Sequence, residues 1–389
     1  NLWGKTNINP DYSNSLILLD SETGKIKCKF KDVKHDHWDL DMVSSPIFTD
    51  INISNQIKRV VYAFSKTGNV FLIDIDSCNF VFKNAENFKI IKTKTGASSQ
   101  TYSDRQTKIL KPEPLLDQKY NLNEYLKTLK NKKDIDYIKF KTKKAKFGED
   151  FIPLSIDHDV ILYGLHGGPV WTGGTLDLVN KQIIIPSNHY PWILRSFYED
   201  RLLAKILQKN SEIKDIFGKS DYSSPFQKKT QEDGEKKIKK IYADISGLLD
   251  KEGYLIYKNK CSSCHGVVRE GVYQGETEGD LYIPNLIGVS TTNKFNSLDN
   301  LNKFKKAHKY TDKKISINDK DLKKVKRYFI KKDNYLKKFK LLFAYGRWGL
   351  LLDRNKLPAS IPPWGKINAI DIDTGKINWS RPFGFRKTK

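Results

Sequence analysis

The 389-residue chain has one methionine, four cysteines and seven histidines. It also has no run approaching the ~18 apolar residues that a membrane-crossing helix needs. That last absence excludes a helical span. Four cysteines are too few for a disulfide-stapled scaffold, and a chain of this length can build two or three domains with a sizeable core without one. Acid is short as well, with 45 Asp+Glu against 69 Lys+Arg and a formal net charge of +24. Such an excess ordinarily raises nucleic acid or an anionic membrane as a partner. The lysines are diffuse, however, with local runs at Lys127–Lys133, Lys141–Lys146 and Lys236–Lys240 interleaved with Asn and Ile. They read as coding bias at least as readily as a binding face. Docking of an acidic electron partner and peripheral membrane association stay open. The chain starts at Asn1 without a signal peptide, and both ends read as cut, with a leader expected upstream.

What is there begins with Cys261-Ser262-Ser263-Cys264-His265-Gly266. Two thiols at this spacing can each form a thioether to a haem vinyl group, and the adjacent imidazole then falls under the iron as an axial ligand. A redox dithiol or half of a zinc site is the competing reading; a second Cys/His pair, which zinc wants, does not follow. Asp250 is placed to cap a helix running through Tyr254 and Tyr257 to Lys260. Ile283-Pro284-Asn285-Leu286-Ile287-Gly288 resembles the P-x-L-x-G stretch of small class I cytochromes c, where the proline carbonyl orients the ligand histidine. A closing amphipathic helix from Asp319 to Ile330 puts Leu322, Val325, Tyr328 and Phe329 on one face. Residues 245–333 therefore read as an all-α cytochrome c domain carrying haem c, a site that disfavours nucleic acid as partner.

Such domains commonly use methionine as the sixth iron ligand, but Met42 lies far outside this stretch. His308 stands about where that methionine is expected. A bis-histidine haem has a lower potential than a His/Met one. The alternatives are a solvent-facing histidine among Lys303, Lys305, Lys306 and Lys309, with an open or Lys-ligated iron.

A repeat flanks this region. Leu16–Ile26 contains Asp20-Ser21-Glu22-Thr23-Gly24, and Ile367–Trp379 contains Asp371-Ile372-Asp373-Thr374-Gly375. A degraded copy runs from Val70 to Cys78. Each is an apolar strand, an Asp-x-x-Thr-Gly turn and a second strand, in which the aspartate bonds turn amides and the glycine supplies positive φ. With further strands at Val60–Phe64 and Gln182–Pro186, they point to an antiparallel β-propeller interrupted by the haem domain. Cys28 and Cys78 fall in strand-like segments and read as buried thiols rather than a disulfide.

The copy ending in Trp379 resembles the tryptophan-docking motif of quinoprotein dehydrogenases, eight-bladed propellers that carry pyrroloquinoline quinone (PQQ). Four more segments agree in family order: His35-Asp36-His37-Trp38-Asp39-Leu40-Asp41, Ser65-Lys66-Thr67-Gly68-Asn69, Gly167–Gly174 and Pro362-Pro363-Trp364-Gly365. The likeness is greatest to the glucose-dehydrogenase-like branch with an inserted cytochrome c. It implies that Asp39 is the catalytic base and lies beside the metal, Ca²⁺ with a lanthanide not excluded. Asp41 is a second metal candidate, projecting the same way if the segment is extended. Lys66, which follows Asp39 at the family's separation, contacts the quinone oxygen, and Trp171 lies in the PQQ vicinity, although packing is its commoner role. His35 and His37 become structural or pocket-edge groups. The vicinal Cys-Cys pair of many alcohol-oxidising members is missing, and the metal-binding Glu and Asn, with the closing blades, belong beyond the ends of the sequence.

The expectation is thus a mainly β chain. Residues 1–200 form propeller blades with a long polar insert at 98–150, and 201–244 form a helical, charged linker. The cytochrome domain occupies 245–333, and 334–389 return to the propeller. The implied activity is periplasmic, PQQ-dependent oxidation of a sugar, polyol or alcohol, with electrons passing through haem c to a quinone or soluble cytochrome. The rival reading is a non-catalytic propeller–cytochrome relay.

Overall fold

The computed structural model describes residues 12–42, 44–93, 103, 105–155, 157–166, 168–169, 172–200, 240, 244–266, 269, 286–291, 295, 298–308, 316–339 and 342–384; at 85, 196–200, 306–307 and 342–347 it describes the backbone alone. The chain divides into two compact units, Asn1–Arg195 with Gly346–Lys389, and Ser196–Tyr345.

The first unit is built of strands. A two-stranded sheet pairs β1 (Ser15–Leu19) with β2 (Ile26–Lys31). A four-stranded meander follows, β3 (Ile47–Ile53), β4 (Gln56–Phe64), β5 (Val70–Asp74) and β6 (Asn79–Phe80). Next come the pair β7 (Phe88–Lys92) and β8 (Arg105–Ile109), helices α1 (Leu122–Thr128) and α2 (Lys132–Thr142), and β9 (Ala145–Lys146). β10 (Asp159–Leu162) joins a sheet of order β14-β13-β10-β9, with β13 spanning Trp192–Asp200 and β14 spanning Leu342–Leu350. The last sheet has the order β11 (Thr175–Asp177), β12 (Gln182–Asn188), β15 (Gly365–Asp371), β16 (Ile377–Pro382).

Four-stranded antiparallel sheets are what the repeats predict, but β9 pairs with β10 in parallel. The described strands form five separate sheets, none of them closed. Over its described residues, 103 and 105–150, the polar insert carries a strand pairing, two helices and a buried face. Tyr120, Tyr125 and Ile138 are buried together with Ile161, Ile193, Leu351 and Ala359. Its helices have 7 and 11 residues, so each offers too few turns for an apolar stripe to stand out.

The two full repeats fold alike. Oδ1 of Asp20 accepts from Thr23 N and Oγ1 at 2.8 and 2.7 Å, and Oδ1 of Asp371 accepts from Thr374 N and Oγ1 at 2.7 and 2.8 Å. In the degraded copy Asp74 accepts from Ser77 N at 3.0 Å, and Cys78 takes the glycine position with φ of 55°. In the first two copies the residue eight beyond the aspartate meets the glycine position of the next repeat. Thus Phe82 packs on Gly375, where an added Cβ would come within 3.0 Å of its ring. At the corresponding place Cys28 meets Cys78.

These two cysteines form a disulfide, correcting the expectation of buried thiols. Their sequence segments are strand-like, but the turn of one repeat brings Cys78 against the strand of another, a proximity that spacing does not reveal. Their Cα atoms are 5.8 Å apart across a separation of 50 residues. Closing such a loop contributes about 4 kcal/mol in the chain-entropy account. Cys28→Ser with Cys78→Ser is expected to lower the unfolding free energy by about 2–4 kcal/mol. All seven tryptophans lie outside 196–345, so tryptophan fluorescence during denaturant unfolding reports the first unit separately.

The second unit is helical among its described residues, apart from the strand ends near its borders. α3 (Lys251–Lys260) is capped by Asp250, whose carboxylate accepts from Gly253 N at 3.0 Å. The same carboxylate meets Arg327 at 2.6 Å, and the guanidinium holds it down to about 2. α4 (Ser262–His265), α5 (Leu301–Ala307) and α6 (Asp319–Lys338) follow. Leu322, Val325, Tyr328 and Phe329 are buried as expected, packed on Tyr254 and Tyr257. α6 runs two turns past Ile330, because Lys332, Asp333 and Leu336 continue the buried stripe.

Candidate functional site

The segment from His35 to Asp41 is fixed by alternate residues. Trp38 and Leu40 are buried in a core with Val33, Phe151, Ile152 and Leu154. The indole Nε1 of Trp38 donates to the Ile152 carbonyl at 2.7 Å, and Phe151 meets its ring edge-on. Burying Trp38 and Leu40 leaves Asp39 and Asp41 on the other side. Asp39 has φ of 62°, so the stretch is not the extended strand expected, yet both carboxylates converge on one cation. Lys66 Nζ lies 3.2 Å from Asp39 Oδ2 and 2.7 Å from Asp41 Oδ1. The Lys66 side chain is 7% exposed, against 44% for each carboxylate. A cation so sheltered interacts more strongly than a surface pair.

The turn carrying Lys66 is held from below by Asp32. Its carboxylate accepts from Ser65 Oγ, from Thr67 Oγ1 at 3.0 Å and from Asn69 Nδ2 at 2.7 Å. The Lys66 carbonyl accepts from Gln118 Nε2 at 3.1 Å, and its amide donates to Asp41 O at 3.0 Å. Gly164, with φ of 90°, lies under the same carbonyl; a Cβ there would sit 2.0 Å from the oxygen. The sequence reading missed Asp32. The available signal was a lone aspartate just ahead of the His-Asp-His stretch, facing a Ser-x-Thr-x-Asn run of short donors.

Burial pushes the Asp32 carboxyl up to about 6 despite its three hydrogen bonds. The folded chain therefore keeps a proton that the unfolded chain has released. Stability from this group is full below the unfolded value of about 4 and is lost as pH rises through about 6. Asp32→Asn is expected to flatten the fall in tryptophan-monitored unfolding free energy across that window. A wild-type slope in the variant would assign the titration elsewhere. The half-buried Asp36 carboxyl is raised to about 7, chiefly by desolvation, with charge repulsion from Asp39 and Asp41 adding to the rise. His35 is pushed below its ordinary value by burial, with its Nδ1 buried and lacking a hydrogen-bond partner. His37 is buried with its ring edge-on to Trp38.

Two carboxylates suit a hard, oxygen-preferring cation. Among the described residues no third metal-binding side chain joins them, so a cation here would need its other ligands elsewhere. Trp171 lies outside the described residues, as do Pro284 and the linker from 201 to 239.

In the second unit, Cys261, Cys264 and His265 share one turn. Cys264 N and His265 N donate to the Cys261 carbonyl at 3.1 and 2.9 Å. Both thiols are free, and burial, with Cys264 adding, pushes the Cys261 thiol up to about 12. Cys261 packs against the apolar cluster of Tyr254, Tyr257, Leu322 and Phe329. His265 is buried, and its ring centroid lies 6.1 Å from that of His308. A turn presenting two free thiols and an imidazole beside an apolar wall suits an apolar macrocycle bound through thioethers.

Residues 1–243 and 277–389 match the family described as PQQ glucose/ethanol/alcohol dehydrogenase, β-propeller domain. Over 75 residues the chain is 37% identical to the quinoprotein glucose dehydrogenase of Escherichia coli, covering 19% of this chain and 9% of that protein. It is 37% identical over 76 residues to quinoprotein glucose dehydrogenase A of Acinetobacter calcoaceticus, covering 19% and 10%. Over 85 residues it is 29% identical to the quinohemoprotein alcohol dehydrogenase of Comamonas testosteroni, covering 22% and 12%. The matched segment thus spans about a tenth of each relative. The crystal structure of the Comamonas enzyme overlaps 48% of this chain and 21% of that one at 16% identity, with a TM-score of 0.29, too partial to bear on the argument.

Proposed function

The chain belongs to the PQQ glucose/ethanol/alcohol dehydrogenase β-propeller family, and on that footing we propose that it serves a periplasmic quinohaemoprotein dehydrogenase of sugars, polyols or alcohols. The observation that carries this reading is the sheltered Lys66 cation held between Asp39 and Asp41. PQQ, when bound, supplies the two-electron acceptor, and haem c attached at Cys261 and Cys264 supplies a one-electron relay toward a quinone or soluble cytochrome.

The residues divide the remaining work. Asp39, a half-exposed carboxylate beside the sheltered Lys66, takes the proton of the substrate hydroxyl. Lys66 holds positive charge where negative charge develops on the acceptor, in surroundings that screen it little. Asp32 and Gln118 fix the Lys66 backbone, so the ammonium is aimed before substrate arrives. Asp39 and Asp41 would contribute to a Ca²⁺ or lanthanide site, and His265 would supply an imidazole ligand to the haem iron. The cytochrome c domain would occupy 245–333, where Cys261, Cys264 and His265 would hold the haem. No described helix is long and apolar enough to cross a membrane.

The test is dye reduction by the full-length gene product, purified with its haem and assayed with alcohols and aldoses, with and without PQQ plus Ca²⁺ or La³⁺. PQQ-dependent turnover and haem reduction by substrate are expected. Haem without any PQQ response would instead support the relay reading. Asp41→Ala is expected to alter which of the two metals sustains turnover.

A further inference from the structure

We infer that His308 is the second axial ligand of the haem iron, opposite His265, with the two imidazole planes nearly perpendicular. This rests on the haem reading of Cys261, Cys264 and His265 given above. Two imidazoles bound to one metal through nitrogens about 2 Å from it have ring centroids roughly 6 Å apart. The observed separation is 6.1 Å, with an interplanar angle of 79°. A direct hydrogen bond between the rings would draw the centroids to about 5 Å.

The rest of the His308 environment suits a ligand. Its Nδ1 lies 2.9 Å from the Phe304 carbonyl, one turn back in α5. A carbonyl can only accept, so Nδ1 carries a proton; in the neutral ring Nε2 then holds the lone pair, the tautomer that binds a metal while its other nitrogen is anchored. The ring also stacks on Phe304, with centroids 4.1 Å apart and planes 29° from parallel. Phe304 is itself 4% exposed within the apolar cluster, so it anchors the imidazole from one side. Asn300 caps α5, accepting from Lys303 N at 2.9 Å, and His308 closes the helix, donating its own amide to Phe304 O and Lys305 O. The helix end thus fixes both the backbone and the ring of this histidine. The chain's one methionine, Met42, lies in the first unit, leaving no thioether among residues 196–345.

Ring orientation gives the inference a readout independent of turnover. Perpendicular imidazoles interact with different iron d orbitals of π symmetry and leave them nearly degenerate. Parallel rings both act on one orbital and split the pair. The oxidised protein is therefore expected to show a low-spin electron paramagnetic resonance signal of the large-gmax type, not the rhombic type. The experiment uses the full-length gene product matured with haem, with covalent attachment at Cys261 and Cys264 checked by peptide mass. His308→Ala is expected to lose the low-spin signal and become high-spin, and added imidazole should restore low spin. His308→Met is expected to raise the midpoint potential, since thioether ligation favours the reduced iron. A low-spin signal surviving in His308→Ala, a high-spin wild type, or a rhombic wild-type signal overturns the inference while leaving the haem reading intact. Failure of haem to attach at the two cysteines overturns both.

Discussion

Asp39→Asn is expected to lower kcat/KM for the sugar or alcohol by about 10²–10⁴-fold, and Lys66→Ala by about 10²–10³-fold, with covalent haem and its spectrum unchanged. The first figure is the usual worth of a positioned base, and asparagine keeps the shape while losing the basicity. The second is the usual worth of one donor aimed at developing charge. Lys66 warrants the upper part of its range because its side chain is 7% exposed and its charge is poorly screened. Removing it also leaves Asp39 and Asp41 facing each other without the cation that each meets within 3.2 Å. The loss in Asp39→Asn should fall on kcat, because proton removal belongs to the transition state. Lys66→Ala should in addition weaken PQQ reconstitution, read as the cofactor concentration for half-maximal turnover. Full turnover by Asp39→Asn would remove the carboxylate from the chemistry and leave the Asp39–Lys66 pair a purely structural contact.

The parts of the fold that repeat were legible before any coordinates. Asp20 and Asp371 announce their turns because an Asp-x-x-Thr-Gly sequence uses local bonds only, and local bonds leave a local signature. The capping role of Asp250 and the buried face of α6 up to Phe329 were legible for the same reason. The Cys28–Cys78 disulfide was not, since it depends on one repeat's strand meeting the next repeat's turn. Asp32 was hidden by the same kind of gap: its partners lie 33 to 37 residues away, and a buried aspartate looks like a surface one in sequence. Family order put Asp39, Asp41 and Lys66 in one candidate site, but it gave neither the ion pairs of Lys66 with both carboxylates nor the positive φ at Asp39. The end of α6 was misplaced because Lys331-Lys332-Asp333 reads as a solvated stretch, although Lys332 and Asp333 are 0% exposed.

That misread aspartate carries the largest expected stability effect in the second unit. Asp333 and Arg269 are both fully buried, with Oδ1 2.8 Å from the Arg269 Nη2. The same carboxylate accepts from Gly288 N and Ser290 N, each at 3.0 Å. Arg269 Nη1 donates to the Leu286 carbonyl at 3.2 Å, and its guanidinium lies 5.2 Å from the Phe329 ring centre. One buried pair thus ties α6 to the turn around Gly288 and to Arg269, four residues beyond His265. Asp333→Ala would strand a buried guanidinium and remove the acceptor of two amides, at a cost of about 3–5 kcal/mol. Removing both charges, Arg269→Met with Asp333→Leu, should recover part of that loss, since no ion is then left unpaired. Recovery should remain incomplete, because the Gly288 and Ser290 amides still lack their acceptor, at about 1–3 kcal/mol for such a group. The measurement is denaturant unfolding followed by the absorption of the proposed haem, which would report this unit, beside tryptophan fluorescence, which reports the other. A double variant as stable as wild type would mean that the amides find other partners; one no better than Asp333→Ala would mean that the amide contacts, not the ion pair, set the cost.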